Sequence, residues 1–450
     1  MNSFLPWLLW IAVTIGLIVY FAFRLQSNDQ SLFLPGPTTD GHYQIELDCQ
    51  ACHTPMMGIK EQACLDCHGA DLEAANDSHP KNKFTDPRNA DRLEKLDARK
   101  CITCHIEHRP DQTHEMGLTL PEDYCFHCHE EIAKERPSHE NYGFQSCANA
   151  GCHNFHDNSA LYEDFLLKHL DEPDFKPNVT LPPRRDLKAE LQEDQLIEFF
   201  RPLTIADANH HENLESERSA TIEDWANSSH ARAGVNCTDC HATLSESGQT
   251  LWTDTVNHTG CRDCHENETK GWMKGRHGMR QSRHLAPMTL GQARLEMKPG
   301  RHHESLSCNS CHESHAFNSE KAAVTACISC HDDDHSRAYF QSPHYQLWQN
   351  QVSTPDQPET GVSCATCHLP RVSRQDPDGT VRFHIEHNQN WNLEPNEKMI
   401  RSVCLQCHGL QFSIDSLADP LLIRSNFLGR PSRHIESLEL ARRRIEKTQK

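Results

Sequence analysis

The sequence predicts a mainly α-helical chain with much irregular structure, cores not built from apolar side chains, and one N-terminal transmembrane helix. The chain has 450 residues, of which only 36% are hydrophobic, whereas globular domains usually reach ~45–50%. It contains 22 cysteines and 33 histidines, a combination that a small disulfide scaffold does not explain. The formal net charge of -20 also argues against a nucleic-acid-binding protein.

The predicted transmembrane helix is an uncharged run over residues 4–23. Twenty residues at ~1.5 Å each can cross the ~30 Å hydrocarbon layer, and Trp7 and Trp10 suit a membrane interface. The alternative is a cleaved signal peptide, which has a shorter apolar region, a preceding positive charge and an A-x-A-like site. Because residues 2–23 lack Lys and Arg, we favour an uncleaved anchor over residues 1–24.

Ten C-x-x-C-H motifs follow along the chain. They are Cys49/Cys52/His53, Cys64/Cys67/His68, Cys101/Cys104/His105, Cys125/Cys128/His129, Cys237/Cys240/His241, Cys261/Cys264/His265, Cys308/Cys311/His312, Cys327/Cys330/His331, Cys364/Cys367/His368 and Cys404/Cys407/His408. The two cysteines left over, Cys147 and Cys152, precede His153 in a wider C-x4-C-H motif.

C-x-x-C-H is the attachment signature of c-type haem. The spacing suits a helical turn, on which the two sulfurs bind the porphyrin covalently and the adjacent histidine becomes the proximal ligand of the iron. Zinc sites and redox dithiols also use C-x-x-C, but neither requires the histidine. We therefore predict eleven covalently attached c-type haems that fill the cores. If Cys147 and Cys152 carried no haem, a disulfide between them would be the alternative.

Haem of this type is attached outside the cytoplasmic membrane. The sequence therefore predicts a single-pass protein of the cytoplasmic (inner) membrane, with its haem domains in the periplasm. Arg24 by itself would weakly indicate the opposite orientation.

The motifs fall into two groups, which predict five segments. These are the anchor at 1–24, a five-haem module at 25–168, an acidic, proline-containing linker at 169–222, a six-haem module at 223–410 and a C-terminal helical tail at 411–450. Inside the linker, a helix is predicted from Asp186, as N-cap, to Phe200. Roughly 33 residues per haem predict short helices, long irregular stretches and few strands.

Eleven proximal ligands leave 22 histidines, twice the number needed for a distal ligand at every iron. His108, His156 and His315 follow a proximal histidine by three residues, and His335 by four. These four cannot reach the far face of their own haem, so we expect them to ligate a neighbouring one. The predicted distal ligands are His42, His79, His108, His139, His156, His230, His258, His302 (or His303), His315, His335, His344 and His387. Each could instead bind a propionate or lie at the surface.

Nine histidines receive no role from the sequence: His114, His127, His169, His210, His211, His277, His284, His384 and His434. Two imidazoles on one iron leave no open position, which suits electron transfer, whereas an enzyme needs an open iron.

The first group, with His42 before its motif and the signatures CHIEH and CHNFH, resembles the class III (c3-type) cytochromes c. The second group contains WANSSHARAGVNCTDCH, SPHYQLWQNQVSTPDQPETGVSCATCH and EHNQNWNLEPNEKMIRSVCLQCH. Over residues 222–410 it resembles the superfamily of hydroxylamine oxidoreductase, octahaem tetrathionate reductase and multihaem nitrite reductase, which includes enzymes and electron carriers.

The sequence departs from these enzymes in three respects. No motif ends in lysine, as the catalytic motif of the ammonifying nitrite reductases does. No tyrosine follows Tyr345 to form the cross-link of hydroxylamine oxidoreductase. No spare cysteine matches the one near the active haem of the tetrathionate enzyme. The resemblance therefore leaves the catalytic residues unknown.

A basic segment over residues 270–301 carries eight Lys or Arg and one acid, Glu296. It could bind an anionic substrate beside an iron, but pairing with haem propionates is the simpler interpretation.

These features favour an electron-transfer protein between membrane quinol, or a quinol dehydrogenase, and a periplasmic redox partner protein. The alternative is an oxidoreductase that acts on nitrite, sulfite, tetrathionate or hydroxylamine at one open haem in the second module.

Overall fold

The computed structural model describes residues 4–27, 30–54, 57–75, 79–136, 139–140, 143–144, 147, 155–157, 163–179, 181–193, 201–210, 218–244, 249–354, 359–393 and 395–448. The chain divides into two compact units, Met1–Ser159 and Ala160–Lys450. Helices dominate the described residues and strands are few, which confirms the predicted mainly α fold class.

The first unit begins with a long apolar helix and continues with short ones. Its helices are α1 (Phe4–Gln26), α2 (Glu61–Ala74), α3 (Ala90–Lys95), α4 (Cys101–Cys104), α5 (Phe126–His129) and α6 (Ile132–Glu135). Helix α1 buries no residue and is long and apolar enough to cross a membrane. It covers the predicted run and extends three residues beyond it.

The second unit is also built from short helices. They are α7 (Glu163–Lys168), α8 (Leu187–Glu193), α9 (Arg218–Asn227), α10 (Ser229–Arg232), α11 (Cys237–His241), α12 (His258–Arg262), α13 (Glu266–Lys274), α14 (Met279–Ser282), α15 (Ser319–Ala323), α16 (Thr325–Ile328), α17 (Asp334–Ala338), α18 (Pro343–Ser353), α19 (Cys364–His368), α20 (Asn390–Leu393), α21 (Met399–Ser402), α22 (Leu410–Leu417), α23 (Pro420–Arg424) and α24 (Ser437–Thr448).

The described strands form three separate antiparallel hairpins. These pair β1 (His53–Thr54) with β2 (Gly58–Ile59), β3 (Ala242–Leu244) with β4 (Thr250–Trp252), and β5 (Arg371–Gln375) with β6 (Val381–Ile385). The longest hairpin pairs Arg371 with Ile385 and Gln375 with Val381. No larger sheet exists in the described chain, so packing must come from elsewhere.

Buried apolar side chains are unevenly distributed. Among the described residues of the first unit, Tyr124 is the one buried large hydrophobic residue. In the second unit such residues concentrate near the C-terminus, where Leu410, Ile414, Leu422 and Leu438 are at most 6% exposed. The segments that carry the cysteine motifs are poor in buried apolar side chains, as expected where another group forms the core.

The C-terminal segment is more than the helical tail that the sequence predicts. Helix α24 packs against α7 and buries Leu438 and Ala441, and Arg442 bonds Asp171 across this contact at 2.8 Å. The apolar face of α24 is therefore part of the core of the second unit.

The described residues of the predicted linker also contact the second unit. The Lys176 backbone N–H donates to the Cys407 carbonyl at 2.8 Å, and Arg185 binds Glu268 at 2.6 Å. Asp186 caps α8 by accepting from the Ala189 N–H at 3.0 Å, as predicted, while residues 194–200 of the predicted helix lie outside the described residues. Prolines and acidic charge suggested a spacer, but ion pairs hold this part of the segment to the second unit.

Candidate haem-binding sites

Each of the ten C-x-x-C-H motifs begins at or on a helix or 3-10 turn that starts within three residues of its first cysteine. In six of them the N–H of the histidine donates to the carbonyl of the first cysteine at 2.8–3.0 Å. These are Cys101–His105, Cys125–His129, Cys261–His265, Cys308–His312, Cys327–His331 and Cys404–His408. The four-residue spacing of this bond brings the first thiol and the imidazole to one side of the turn, where a single porphyrin can meet both.

Cys52 departs from the helical turn that the motif spacing predicts. It stands at the end of a short 3-10 turn, Cys49–Ala51, and its backbone N–H donates to the Cys49 carbonyl at 3.3 Å. The next residue, His53, already begins β1, because the hairpin requires an extended backbone there. Cys52 also interacts electrostatically with Cys64 of the second motif. The prediction of one helical turn for the whole first motif is therefore corrected, whereas haem attachment at Cys52 stays a prediction.

Cys330 also lies beyond the helix that begins its motif, since α16 (Thr325–Ile328) ends two residues before it. Its sulfur lies 3.5 Å from Nη1 of Arg301 and 3.6 Å from Oγ of Ser329. Its carbonyl accepts from the Lys298 backbone N–H at 2.8 Å. These contacts place polar groups of Arg301 and Ser329 beside the sulfur. A sulfur remains a weak acceptor in a thioether, and haem attachment at Cys330 stays a prediction.

Polar residues immediately before a motif fix the start of its turn. Asn236, Ser307 and Ser363 each form a capping box with the third residue of the turn that follows. Such caps satisfy backbone N–H groups that a short helix leaves without a partner. The turn is thus formed locally by the sequence of each motif.

The thiols of the described motifs are not oxidised to disulfides. None of the described cysteines forms one, Cys147 included, while Cys152 and His153 lie outside the described residues. Within the part of the chain that the structure describes, no group of three histidine, cysteine or acidic side chains converges on a metal-binding position.

In the first unit, four of the proximal histidines face another histidine across a gap. The ring centroids are 6.4 Å apart for His53 and His108, 5.8 Å for His68 and His42, 6.4 Å for His105 and His156, and 6.0 Å for His129 and His79.

In the second unit, all six proximal histidines have such a partner. The centroid distances are 5.9 Å for His241 and His315, 6.1 Å for His265 and His230, 6.3 Å for His312 and His387, 6.3 Å for His331 and His277, 6.1 Å for His368 and His335, and 6.3 Å for His408 and His344.

This separation fits a metal ion between two imidazoles. Imidazole nitrogens bind metals at about 2.0–2.1 Å, so two rings on opposite sides of one ion have centres roughly 6 Å apart. Direct stacking would bring the rings closer. The ten pairs therefore have the spacing of two axial ligands on one haem iron.

The protonation of the paired rings also suits ligation, which requires a neutral imidazole. Burial lowers the pKa of His230, His277, His344 and His368 to about 4 in each case. These rings are neutral at physiological pH and each can offer a nitrogen lone pair to iron.

Hydrogen bonds at Nδ1 orient several of the rings. His79 Nδ1 donates to the Phe155 carbonyl at 2.6 Å, His108 to Gly36 at 2.7 Å, and His241 to Thr253 at 2.7 Å. A bond at Nδ1 fixes the tautomer and leaves Nε2 as the ligating atom. His42 differs, because its Nδ1 lies 2.6 Å from the Glu107 carboxylate.

Thiols of successive motifs lie beside each other. Adjacent thiols belong to Cys64 and Cys101, Cys125 and Cys147, Cys261 and Cys308, and Cys327 and Cys364, and the proximity of its neighbour raises the pKa of the first thiol of each pair. Because each thiol marks one edge of its porphyrin, neighbouring haems would have adjacent edges.

Nine of the twelve histidines predicted as distal ligands face a proximal histidine. The exceptions are His139, His258 and His302. The His258 ring packs 5.6 Å from that of Trp272, and His302 is exposed. Since the six proximal histidines of the second unit already face other histidines, neither of these two faces a proximal histidine there. His139 is described, but its possible partner His153 is not.

Sequence reasoning missed His277, which faces His331. It lies in the basic segment, well after the end of its nearest preceding motif, so no short spacing identified it. The signal available in the sequence was that this segment contains histidines that belong to no haem-attachment motif.

The basic segment is largely engaged in local bonds. Lys270 pairs with Glu266 at 2.7 Å and Arg301 with Glu304 at 2.5 Å, while Arg276 Nε donates to Asn390 at 3.0 Å and Arg280 Nε to the Ala286 carbonyl at 2.9 Å. The acidic partners offset the charges of Lys270 and Arg301, while the neutral partners orient Arg276 and Arg280 without removing their charge.

Comparisons with known proteins agree with this chemistry. A family model described as cytochrome c3 matches residues 41–130. Proteins named cytochrome c-552 are similar at low identity. The match is 24% identical over 34% of this chain and 32% of the protein from Haemophilus ducreyi, 28% over 35% and 32% for Porphyromonas gingivalis, and 25% over 44% and 40% for Parabacteroides distasonis.

The chain thus spans between about a third and two fifths of the length of these relatives. The similarity to cytochrome c3 lies within the first unit, as the sequence resemblance implied. Together with the repeated attachment turns and the facing imidazoles, these matches identify the chain as a multihaem c-type cytochrome with covalently bound haem.

Proposed function

We propose that this protein is a membrane-anchored periplasmic cytochrome with eleven haems. It transfers electrons between membrane quinol, or a quinol dehydrogenase, and a periplasmic redox partner protein. The net charge of -20 favours a basic surface on that partner.

The observation that carries this proposal is the pairing in the second unit. Each of its six proximal imidazoles has a second imidazole 5.9–6.3 Å away. An iron with two such ligands has no open position for a substrate and changes little in structure between its redox states, which favours electron transfer.

The contacts between motifs support conduction along the chain. The thiol of Cys261 lies beside that of Cys308, and the thiol of Cys327 lies beside that of Cys364. In addition, Cys311 interacts electrostatically with Cys327. Successive motifs of the second unit are therefore neighbours in sequence order, and we propose that electrons follow this order.

Membrane attachment is proposed from α1 (Phe4–Gln26), which is apolar and buries no residue against the rest of the chain. The attachment chemistry of c-type haem supports a periplasmic location for the remainder. For the eleventh haem, held by Cys147 and Cys152, we propose His153 as the proximal and His139 as the distal ligand, because His139 is the candidate nearest in sequence without another assigned iron.

The test is an electron paramagnetic resonance spectrum of the oxidised, full-length protein, together with its mass and haem content. We expect eleven covalent haems per chain and low-spin signals that nitrite, sulfite and cyanide leave unchanged. Fewer than ten haems would refute the motif assignment. A high-spin signal that shifts with nitrite or sulfite would instead favour the oxidoreductase, acting at an open iron.

A further inference from the structure

One distal ligand has an acidic partner. The Nδ1 of His42 lies 2.6 Å from Oε1 of Glu107, and its ring faces His68, the proximal histidine of the second motif. By contrast, His79, His108 and His335 donate from Nδ1 to backbone carbonyls. The imidazole of His42 therefore contacts a full negative charge where those rings contact a dipole.

Glu107 is held in place as an ionised group. The Thr39 backbone N–H donates to its Oε2 at 2.8 Å, and the Thr39 hydroxyl donates to its Oε1 at 3.0 Å. A carboxylate that accepts three hydrogen bonds, from His42 Nδ1, the Thr39 N–H and the Thr39 hydroxyl, is stabilised in its charged form.

We propose that Glu107 sets the redox potential of the haem held by Cys64, Cys67 and His68. Its carboxylate draws the Nδ1 proton of His42 and makes that ring a more basic ligand. A more basic, more negative ligand stabilises ferric iron relative to ferrous iron, so the Glu107 carboxylate lowers the midpoint potential of this haem. The inference rests on the proposed haem ligation by His42 and His68.

A purely structural role would give a different result. Glu107 also joins the segment around Thr39 to the turn that carries His105 and His108, and the Gly36 carbonyl accepts from His108 Nδ1 at 2.7 Å in the same region. If Glu107 only fastened these segments, its loss would alter stability or haem content without a specific shift in potential.

The experiment is a spectroelectrochemical titration of the full-length protein with Glu107→Gln, which keeps the shape and removes the charge. We expect the part of the absorbance change that belongs to one haem to move to a higher midpoint potential. A tenfold loss of preference for ferric iron corresponds to about 59 mV for a one-electron couple. Glu46→Gln is the matched control. It removes the same charge four residues after His42, and the hydrogen bonds described for Glu46 are long ones, at 3.4 Å, from Thr38.

A shift in Glu107→Gln no larger than in the control would overturn the proposal. If Glu107→Gln lost a haem, Thr39→Val would test the proposal instead. It keeps the Glu107 carboxylate but removes a hydroxyl donor that competes with His42 for it. We expect the potential of the same haem to fall, and an unchanged or higher value would refute the role of Glu107. The low-spin spectrum recorded in parallel separates this failure from that of the proposed ligation, which would show as high-spin iron in the unaltered protein.

Discussion

At His277, removal of a single ring should open one iron. This ring faces His331 at 6.3 Å, and burial lowers its pKa to about 4, so it is neutral at physiological pH and is our proposed second ligand of that iron. We expect His277→Ala to give one high-spin haem that binds cyanide, measured by electron paramagnetic resonance and by the Soret spectrum. His258→Ala is the control, because His258 packs on Trp272, and it should leave every haem low-spin. The reverse pattern would contradict the assignment.

The contrast between His277 and His258 shows what sequence spacing can reveal about single residues. His258 stands three residues before Cys261, a spacing that made it a candidate, yet it begins α12 beside the cap residue Asn257 and its ring lies against Trp272. His277 is far from the motif of His331 in sequence and reaches it only through the tertiary fold. Proximal ligands are set within one turn and are predictable, whereas such distal ligands depend on packing between elements.

At the scale of elements, local backbone geometry explains the H-x-x-H arrangement, in which a second histidine follows a proximal histidine by three residues. His108 and His315 have φ values of 62° and 71°, in the left-handed region that ordinary residues seldom adopt. This turn directs the second imidazole away from its own motif. The resulting pairs are nearly parallel, with interplanar angles of 23° for His53 and His108 and 9° for His241 and His315. In both cases the second imidazole faces the proximal histidine of another motif, and ligation of that motif's haem stays a prediction.

Glu359 joins the segment before α8 to strand β5, and its contribution to stability should depend on pH. It pairs with Arg371 at 2.6 Å and with Arg184 at 3.1 Å. Although burial would raise the pKa of Glu359, these bonds lower it to about 2. Because the folded pKa is below the unfolded value, the stabilisation is complete above about pH 4.5 and is lost as the pH falls towards 2.

The measurement is thermal unfolding of Glu359→Gln and the unaltered protein from pH 7 to pH 2. We expect the variant to be less stable by about 1–2 kcal/mol at pH 7, after allowance for solvent screening, and the difference to vanish near pH 2. Glu266→Gln, which loses only the exposed pair with Lys270, should behave like the unaltered protein. A difference that grew as the pH fell would show that Glu359 is not stabilising as an anion.

At the scale of the whole molecule, the sequence predicted composition-driven features better than boundaries. The apolar helix, the short helices and the scarcity of strands follow from local patterns. The structure divides the chain after Ser159, so the described residues 163–179 and 181–193 belong to the second unit. Pairs such as Arg185 with Glu268 join residues far apart in sequence, and proline and acidic content cannot reveal such contacts.

This division gives the sharpest test of the electron route. If α1 anchors the chain and the first unit follows it directly, quinol should reduce the first unit before the second. We expect membranes that carry the full chain, or a chain ending at Ser159, to show rapid haem reduction by quinol in stopped-flow experiments. A soluble chain beginning at Gln26 should be reduced much more slowly, because loss of the membrane helix lowers its concentration near the quinol source. Reduction of a soluble chain covering residues 160–450, without reduction of the anchored first unit, would mean that electrons enter at the second unit and that the proposed direction is wrong.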